Sequence, residues 1–288
     1  MLKTVWFTEQ SNNERGVAML LGGFDGLHIG HRQLLEYARE SGFPVGLMTI
    51  VDGKEEDGLF TFEEREEIFK RAGVDFVFEL PFSEIKNLKP NAFLDLLMKE
   101  FSPKLFVCGE DFRFGAKAAG TPKNLKELTQ VSVQVISLVE KNGVKVSSSQ
   151  IKKLLSEGKT EEVGLLLGHD FFLIGKVYED RKVGRTIGFP TANIQYPQNK
   201  HRLKNGVYET RVVLDGKTYK GITNFGARPT FDDDAVLTET YLDGFEGDLY
   251  GRELKVEFVR YLRDVKKFEN VDKLKEQLTK DIRQVRDQ

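Results

Sequence analysis

The chain has one cysteine, Cys108, in 288 residues. That leaves no disulfide framework and no thiolate metal cluster. Its four histidines fall at positions 28, 31, 169 and 201, too scattered for a His-rich zinc site. No apolar run approaches the roughly 20 residues that cross a bilayer. The N-terminus also lacks the charged start and apolar core of a secretory signal. The expected setting is the reducing cytoplasm, with no membrane partner. Net charge is −2 and there is no basic block, which argues against a nucleic-acid surface. Neither a Gly-x-Gly-x-x-Gly turn after the first buried strand nor a P-loop occurs, so the common dinucleotide and P-loop signatures are excluded. Internal repeats, low-complexity tracts and long linkers are missing too.

What is present points to two domains, each large enough to bury a core. Val17 to Leu21 is an unbroken apolar run suited to a parallel strand buried on both faces. Gly22 and Gly23 follow, and a helical period begins near Ile29 with Leu34, Leu35 and Ala38 inward. His28 and His31 therefore stand at the start of a helix, whose unpaired N–H groups attract anions. The stretch reads as a nucleotide phosphate site. Further strands are expected at Val5–Phe7, Pro44–Ile50, Phe76–Leu80, Leu105–Val107 and Val131–Leu138. Between them, Thr61 with Glu64 forms a capping box for a helix to Arg71. Pro90 opens a helix with an inward stripe of Phe93, Leu94, Leu97 and Met98, and Thr121-Pro122 opens another. The alternation means an α/β domain with a parallel, doubly wound sheet. Its ligand loops lie at the carboxyl ends of the strands, near Gly22, Asp52 and Gly109.

Ser147, Ser148 and Ser149 precede an apolar-periodic run and read as helix caps, flanked by Lys145 and Lys152. Capping alone explains the serines. With the lysines, the same residues would hold a phosphate. A short helix from Thr160 to Leu167 follows, and the domain boundary is expected near Gly168, dividing the chain into 1–168 and 169–288. Beyond it, strands are expected at Phe171–Tyr178, Gly206–Leu214, Lys217–Ile222, Glu239–Leu242 and Leu254–Tyr261, with Asp215-Gly216 as a hairpin turn. This describes a small antiparallel β-barrel or sandwich. Val271, Leu274, Leu278, Ile282 and Val285 give a terminal helix one apolar face to cover it.

The stretch from Gly184 to Ile194 is dense in special residues. Gly184 and Gly188 let backbone amides approach phosphates, and Thr191 and Asn193 fall on one side if extended. Neutral oxygens of that kind are Mg²⁺ ligands. Taken alone, the stretch also reads as a Gly-Pro surface loop.

Gly23-Phe24-Asp25-Gly26-Leu27-His28-Ile29-Gly30-His31, Gly109 to Gly115 and Val146-Ser147-Ser148-Ser149 together resemble the adenylyltransferase half of bacterial bifunctional FAD synthetases. Gly188 to Asn193, Asn205-Gly206-Val207-Tyr208, Asn224 to Thr230, and Glu239 with Gly247 to Gly251 look like the riboflavin kinase half. The motifs keep the family's order over almost the whole chain. The resemblance implies two activities, phosphorylation of riboflavin to FMN and adenylylation of FMN to FAD with release of pyrophosphate. It implies Glu239 as catalytic base and Thr191 and Asn193 as Mg²⁺ ligands. It also implies ATP-phosphate contacts from Gly23, Phe24, Asp25, Gly30, Asp111, Ser148, Lys145, Lys152, Gly184 and Arg185, with His28 and His31 neutralising the reacting phosphates. Phe112 and Phe114 would stack on the flavin; as bulky apolar residues they read equally as core.

The chain departs from the pattern at three places. Lysines 145 and 152 stand where the family has arginines; lysine keeps the charge and loses the bidentate fork. Val51 to Glu56 replaces an Asp-Pro-His-Pro-like loop, and Asp243-Gly244-Phe245 replaces Leu-Asp-Phe. The expected partners are riboflavin, FMN, FAD and ATP, with a monomer or weak oligomer as the assembly. The alternatives are one surviving activity, or a flavin- or nucleotide-binding regulator without turnover.

Overall fold

A computed structural model describes residues 3–6, 16–51, 57–137, 139–141, 143–179, 188–227 and 236–287. They form two compact units, Met1–Gln150 and Ile151–Gln288. The first unit contains β1 (Lys3–Trp6), β2 (Val17–Leu21), α1 (Ile29–Glu40), β3 (Val45–Val51), α2 (Phe62–Arg71), β4 (Phe76–Pro81), α3 (Phe82–Ile85), α4 (Pro90–Phe101), β5 (Pro103–Gly109), α5 (Pro122–Leu128), β6 (Ser132–Ile136), β7 (Glu140–Lys141) and β8 (Val144–Lys145). Helix α6 (Ser148–Glu157) runs from its end into the second unit.

The sheet order is β1-β4-β3-β2-β5-β6. β4, β3, β2, β5 and β6 are parallel, and every residue of β2 is buried. The chain winds outward from β2 through β3 to β4, then returns to β5 on the other side of β2. Right-handed crossovers place helices on opposite faces when the direction of winding reverses. Accordingly, Phe93, Leu94, Leu97 and Phe101 of α4 and Leu125 of α5 share a core with Met19, Phe76, Phe78 and Phe106 that includes nothing from α1 or α2. The reversal opens a crevice at the carboxyl ends of β2 and β5.

Several local expectations hold. Thr61 and Glu64 make both halves of a capping box at 3.3 and 2.9 Å, and Pro90 sits in the first turn of α4. Two need correction. The sheet is not purely parallel, because β1 pairs antiparallel with β4 at the edge. Met98 does not join the inward stripe of α4 and is 38% exposed; the buried face is already filled by Phe93, Leu94, Leu97 and Phe101.

The second unit continues with α7 (Thr160–Leu167), β9 (Phe171–Lys176), β10 (Thr191–Gln195), β11 (Gly206–Leu214), β12 (Lys217–Ala227), β13 (Val236–Leu242), β14 (Glu253–Arg263) and α8 (Val271–Arg286). One antiparallel sheet runs β10-β13-β12-β11-β14-β9. It curls until its outer strands meet, where Tyr178 N–H donates to Asn193 O at 3.0 Å. The result is the expected small barrel. Asp215 and Gly216 both have positive φ, 51° and 76°, as a type I′ hairpin requires.

The barrel interior stacks Tyr208 edge-on to Phe225 and Phe258, and a hydroxyl ladder joins Thr210, Thr223 and Thr240 at 2.8 and 2.9 Å. On the outer face, α8 buries Ile282 and Val285 against Val207 and Ile222. Polar ties reinforce it, Arg263 to buried Asp281 at 2.7 Å and Lys220 to the Val285 carbonyl at 2.9 Å. The helix covers less than expected, since Val271 is 51% exposed in its first turn. Thr191–Gln195 is a strand and not a Gly-Pro loop, because backbone pairing with β13 holds all five residues extended.

Candidate active sites

The first site sits in the crevice of the α/β unit. A cavity of about 430 Å³ opens there, lined by Gly22, Gly23, His28, Gly30 and His31 on the β2–α1 side. Gly109, Asp111, Phe112 and Arg113 line it from the loop after β5, and Lys145, Ser147 and Ser148 from the β8–α6 junction. That volume suits one small cofactor-sized ligand.

Local chemistry fixes the two imidazoles. His28 is the N-cap of α1, and its Nδ1 accepts the His31 backbone N–H at 3.3 Å. His31 Nδ1 lies 2.8 Å from the Gly26 carbonyl. The rings stack at 3.6 Å between centroids, and Phe24 tilts against His31 at 4.7 Å. Gly30 leaves room for this arrangement, since a Cβ on it would press to 3.2 Å from the His28 ring.

Burial pulls the His28 imidazole down to about 2, helped by the adjacent His31 and by Lys145. Burial likewise holds His31 near 4, opposed by its bond to Gly26 and by Asp111. Both rings are neutral at neutral pH. An unfolded imidazole titrates near 6.5, so below about that pH the unfolded chain binds protons that the folded one refuses, and stability falls as pH drops towards 4. The slope is about 1.4 kcal/mol per pH unit for each imidazole. Chemical unfolding followed by circular dichroism at a series of pH values checks this. His28→Asn is expected to flatten the curve between about pH 6.5 and 5; an unchanged slope would contradict the burial assignment.

Lys145 and Asp111 form an ion pair at the cavity wall, both side chains about half exposed. Ser147 Oγ caps α6 by accepting the Gln150 N–H at 3.3 Å. Thus Gly23, His28, Gly30, His31, Asp111, Phe112, Lys145 and Ser148 converge. Four other expected residues do not line the cavity. Phe24 is buried under His31, and Asp25 uses Oδ1 to hold the Leu59 N–H at 2.9 Å. Phe114 packs in the core against Phe93 and Phe112. Lys152 lies a full turn along α6, about 6 Å from its start. Arg113 lines the cavity and was not singled out from sequence, because nothing in Phe112-Arg113-Phe114 says which way it turns.

The second site is a row across three strands. Register pairs Asn193 of β10 with Glu239 of β13, and Glu239 with Asn224 of β12. Asn224 Nδ2 donates to Glu239 Oε2 at 3.3 Å. Thr238 and Thr240 point into the barrel and are fully buried, so the two-residue period turns Glu239 to the α8 face beside Tyr241. Thr191 stands two residues from Asn193 and opposite Tyr241. Asn193 is 7% exposed, and among the described residues its Oδ1 has no hydrogen-bond partner. A buried orphan oxygen suits a hard cation. The sequence marks Asn224 only as part of a motif; its contact with Glu239 depends on the register. Gly184 and Arg185 lie outside the described residues, as does most of the loop after Val51.

Together the two units define an ATP-using transferase with two separate sites. The FAD synthetase family model matches residues 10–150 and the riboflavin kinase model residues 167–288. The bifunctional riboflavin kinase/FMN adenylyltransferase of Listeria monocytogenes is 32% identical over 93% of this chain and 91% of the relative. That of Escherichia coli is also 32% identical, over 93% and 91%. A solved structure from Streptococcus pneumoniae described as a macrolide-efflux protein is 29% identical, with a TM-score of 0.87 over 95% of each chain. Its efflux description stays with that protein; among the described residues here, no helix is long and apolar enough to cross a membrane. The chain belongs to the bifunctional riboflavin kinase/FMN adenylyltransferase family, the bacterial FAD synthetases.

Proposed function

We propose that the chain phosphorylates riboflavin to FMN at the Glu239 row and adenylylates FMN to FAD, releasing pyrophosphate, at the cavity of the α/β unit. By activity, 1–168 carries the adenylyltransferase and 169–288 the kinase. The observation that carries the reading is the convergence of His28, His31 and Lys145 on one cavity at the strand-order reversal.

In the kinase half, the ribityl alcohol is a poor nucleophile. Glu239 accepts its proton as the oxygen attacks the γ-phosphorus of ATP. Asn224 orients the carboxylate. Thr191 and Asn193 would hold Mg²⁺, which supplies charge neutralisation on the ATP phosphates. Gly184 and Arg185 are assigned to the same phosphates on the sequence pattern.

In the other half, the nucleophile is the FMN phosphate, already largely ionised because its second pKa is about 6. No base is required. Gly23 and Gly30 leave room for the phosphate chain. His28, His31, Lys145 and Ser148 balance charge on the α-phosphate and the leaving pyrophosphate, and Phe112 lies against the flavin. Asp111 holds Lys145 until ATP arrives. We place the protein in the reducing cytoplasm as a monomer or weak oligomer; Cys108 is buried, its thiol pushed up by burial to about 11, so it is inert to disulfide exchange.

The test is chromatography of flavins after incubation with ATP and Mg²⁺, started separately from riboflavin and from FMN. FAD is expected from both. Chelation with EDTA should stop both conversions, and FMN left unconverted would remove the adenylyltransferase assignment.

A further inference from the structure

The tautomers of the two stacked imidazoles follow from their partners. A backbone N–H donates to His28 Nδ1, so that nitrogen carries a lone pair and the neutral ring bears its proton on Nε2. His31 Nδ1 faces the Gly26 carbonyl, which only accepts, so Nδ1 bears the proton and Nε2 carries a lone pair. Two adjacent rings thus differ: one offers a donor as it stands, the other offers none.

We propose that His31 Nε2 takes up one proton from solvent when the triphosphate of ATP enters the cavity, while His28 donates its Nε2–H without changing charge. The inference rests on the reading of this cavity as an ATP site and deepens it.

A phosphate oxygen brought against a bare nitrogen lone pair is repelled. One proton added to that nitrogen turns the contact into a charge-assisted hydrogen bond. Nothing else in the balance changes; the proton leaves with the pyrophosphate.

The groups around His31 are consistent with a ring that switches charge. Phe24 and the neutral His28 ring flank its faces. Asp111, across the cavity, favours a proton on it. Lys145, paired with Asp111, and Arg113 are the cations in the same wall. Burial keeps the proton off in the free protein, and the polyanion supplies what burial removes.

With only four histidines, nitrogen-15 NMR of ring-labelled full-length protein resolves the states directly. Near pH 6, where an ordinary imidazole is largely charged but His31 is held neutral by burial, the free protein should show His31 as the Nδ1–H tautomer and His28 as the Nε2–H tautomer. Saturating Mg-ATP should convert His31 alone to imidazolium. Calorimetry in two buffers of different ionisation enthalpy should then give about one proton taken up per ATP, lost in His31→Gln. ATP bound in the kinase half contributes equally to both proteins and cancels. If ATP shifts both rings while His31 stays neutral, or if His28 is the ring that becomes charged, the inference is overturned and the site reading stands. If ATP moves neither ring, the site reading itself fails.

Discussion

Replacing Glu239 with glutamine is expected to lower riboflavin phosphorylation by about a hundred- to ten-thousandfold, with FAD formation from FMN unchanged. Glutamine keeps the length of the side chain and can still accept from Asn224, which bonds Glu239 at 3.3 Å, so the strand row survives. What it loses is the ability to take the ribityl proton as the oxygen attacks. The loss should fall on kcat, with the KM for riboflavin little altered, because the substrate is still bound and only the transition state has lost a partner. The adenylyltransferase half is an internal control, since its cavity is built wholly from the first unit. Initial rates from both flavins, separated by chromatography, decide the matter. A variant phosphorylating riboflavin at near the normal rate would mean the base is another residue.

How much of this was readable beforehand depended on how far apart the partners lie in the chain. The Val17–Leu21 strand, the glycine turn and the histidines at the start of α1 sit within one short stretch, and their local chemistry alone marks an anion site. The Thr61–Glu64 capping box and the Asp215-Gly216 turn are equally self-contained. Long-range pairing is another matter. β1 is antiparallel because it pairs with β4, some seventy residues on, and no period in Lys3–Trp6 encodes that. The glycines and proline of Gly184–Ile194 allowed a surface loop as well as an extended Thr191 and Asn193; pairing with β13 decides for the strand at Thr191–Gln195. The same register sets Asn193, Glu239 and Asn224 side by side. Side-chain direction was the other hidden quantity. Motif membership pointed to Asp25, and to Phe114 as flavin or core, while Lys152 was expected at the site from its place beside the serines. The fold instead turned Asp25 to Leu59, sank Phe114 in the core and carried Lys152 along α6. Asp281 is the converse case, a charge on an apolar helix face, buried because Arg263 meets it there.

His28→Asn should preserve the α/β unit and lose FAD formation, whereas His28→Ala should damage both. His28 does two jobs with its two nitrogens. Nδ1 caps α1 by accepting the His31 N–H, and asparagine is among the best residues for that role. Nε2 faces the cavity and is assigned to the phosphates, and the shorter asparagine does not reach that far. Losing one donor aimed at developing transition-state charge costs about a hundred- to a thousandfold in kcat, so both variants should make FAD slowly. Only alanine also gives up the cap, which costs about 1 kcal/mol and should lower the melting temperature of the unit relative to asparagine. Riboflavin phosphorylation should be normal in both. Asparagine making FAD at the normal rate would reduce His28 to a structural cap. Equal melting temperatures for the two variants would remove the cap and leave the phosphate role alone. The comparison works because the two nitrogens have different assignments, Nδ1 to the backbone of its own helix and Nε2 to the proposed phosphates.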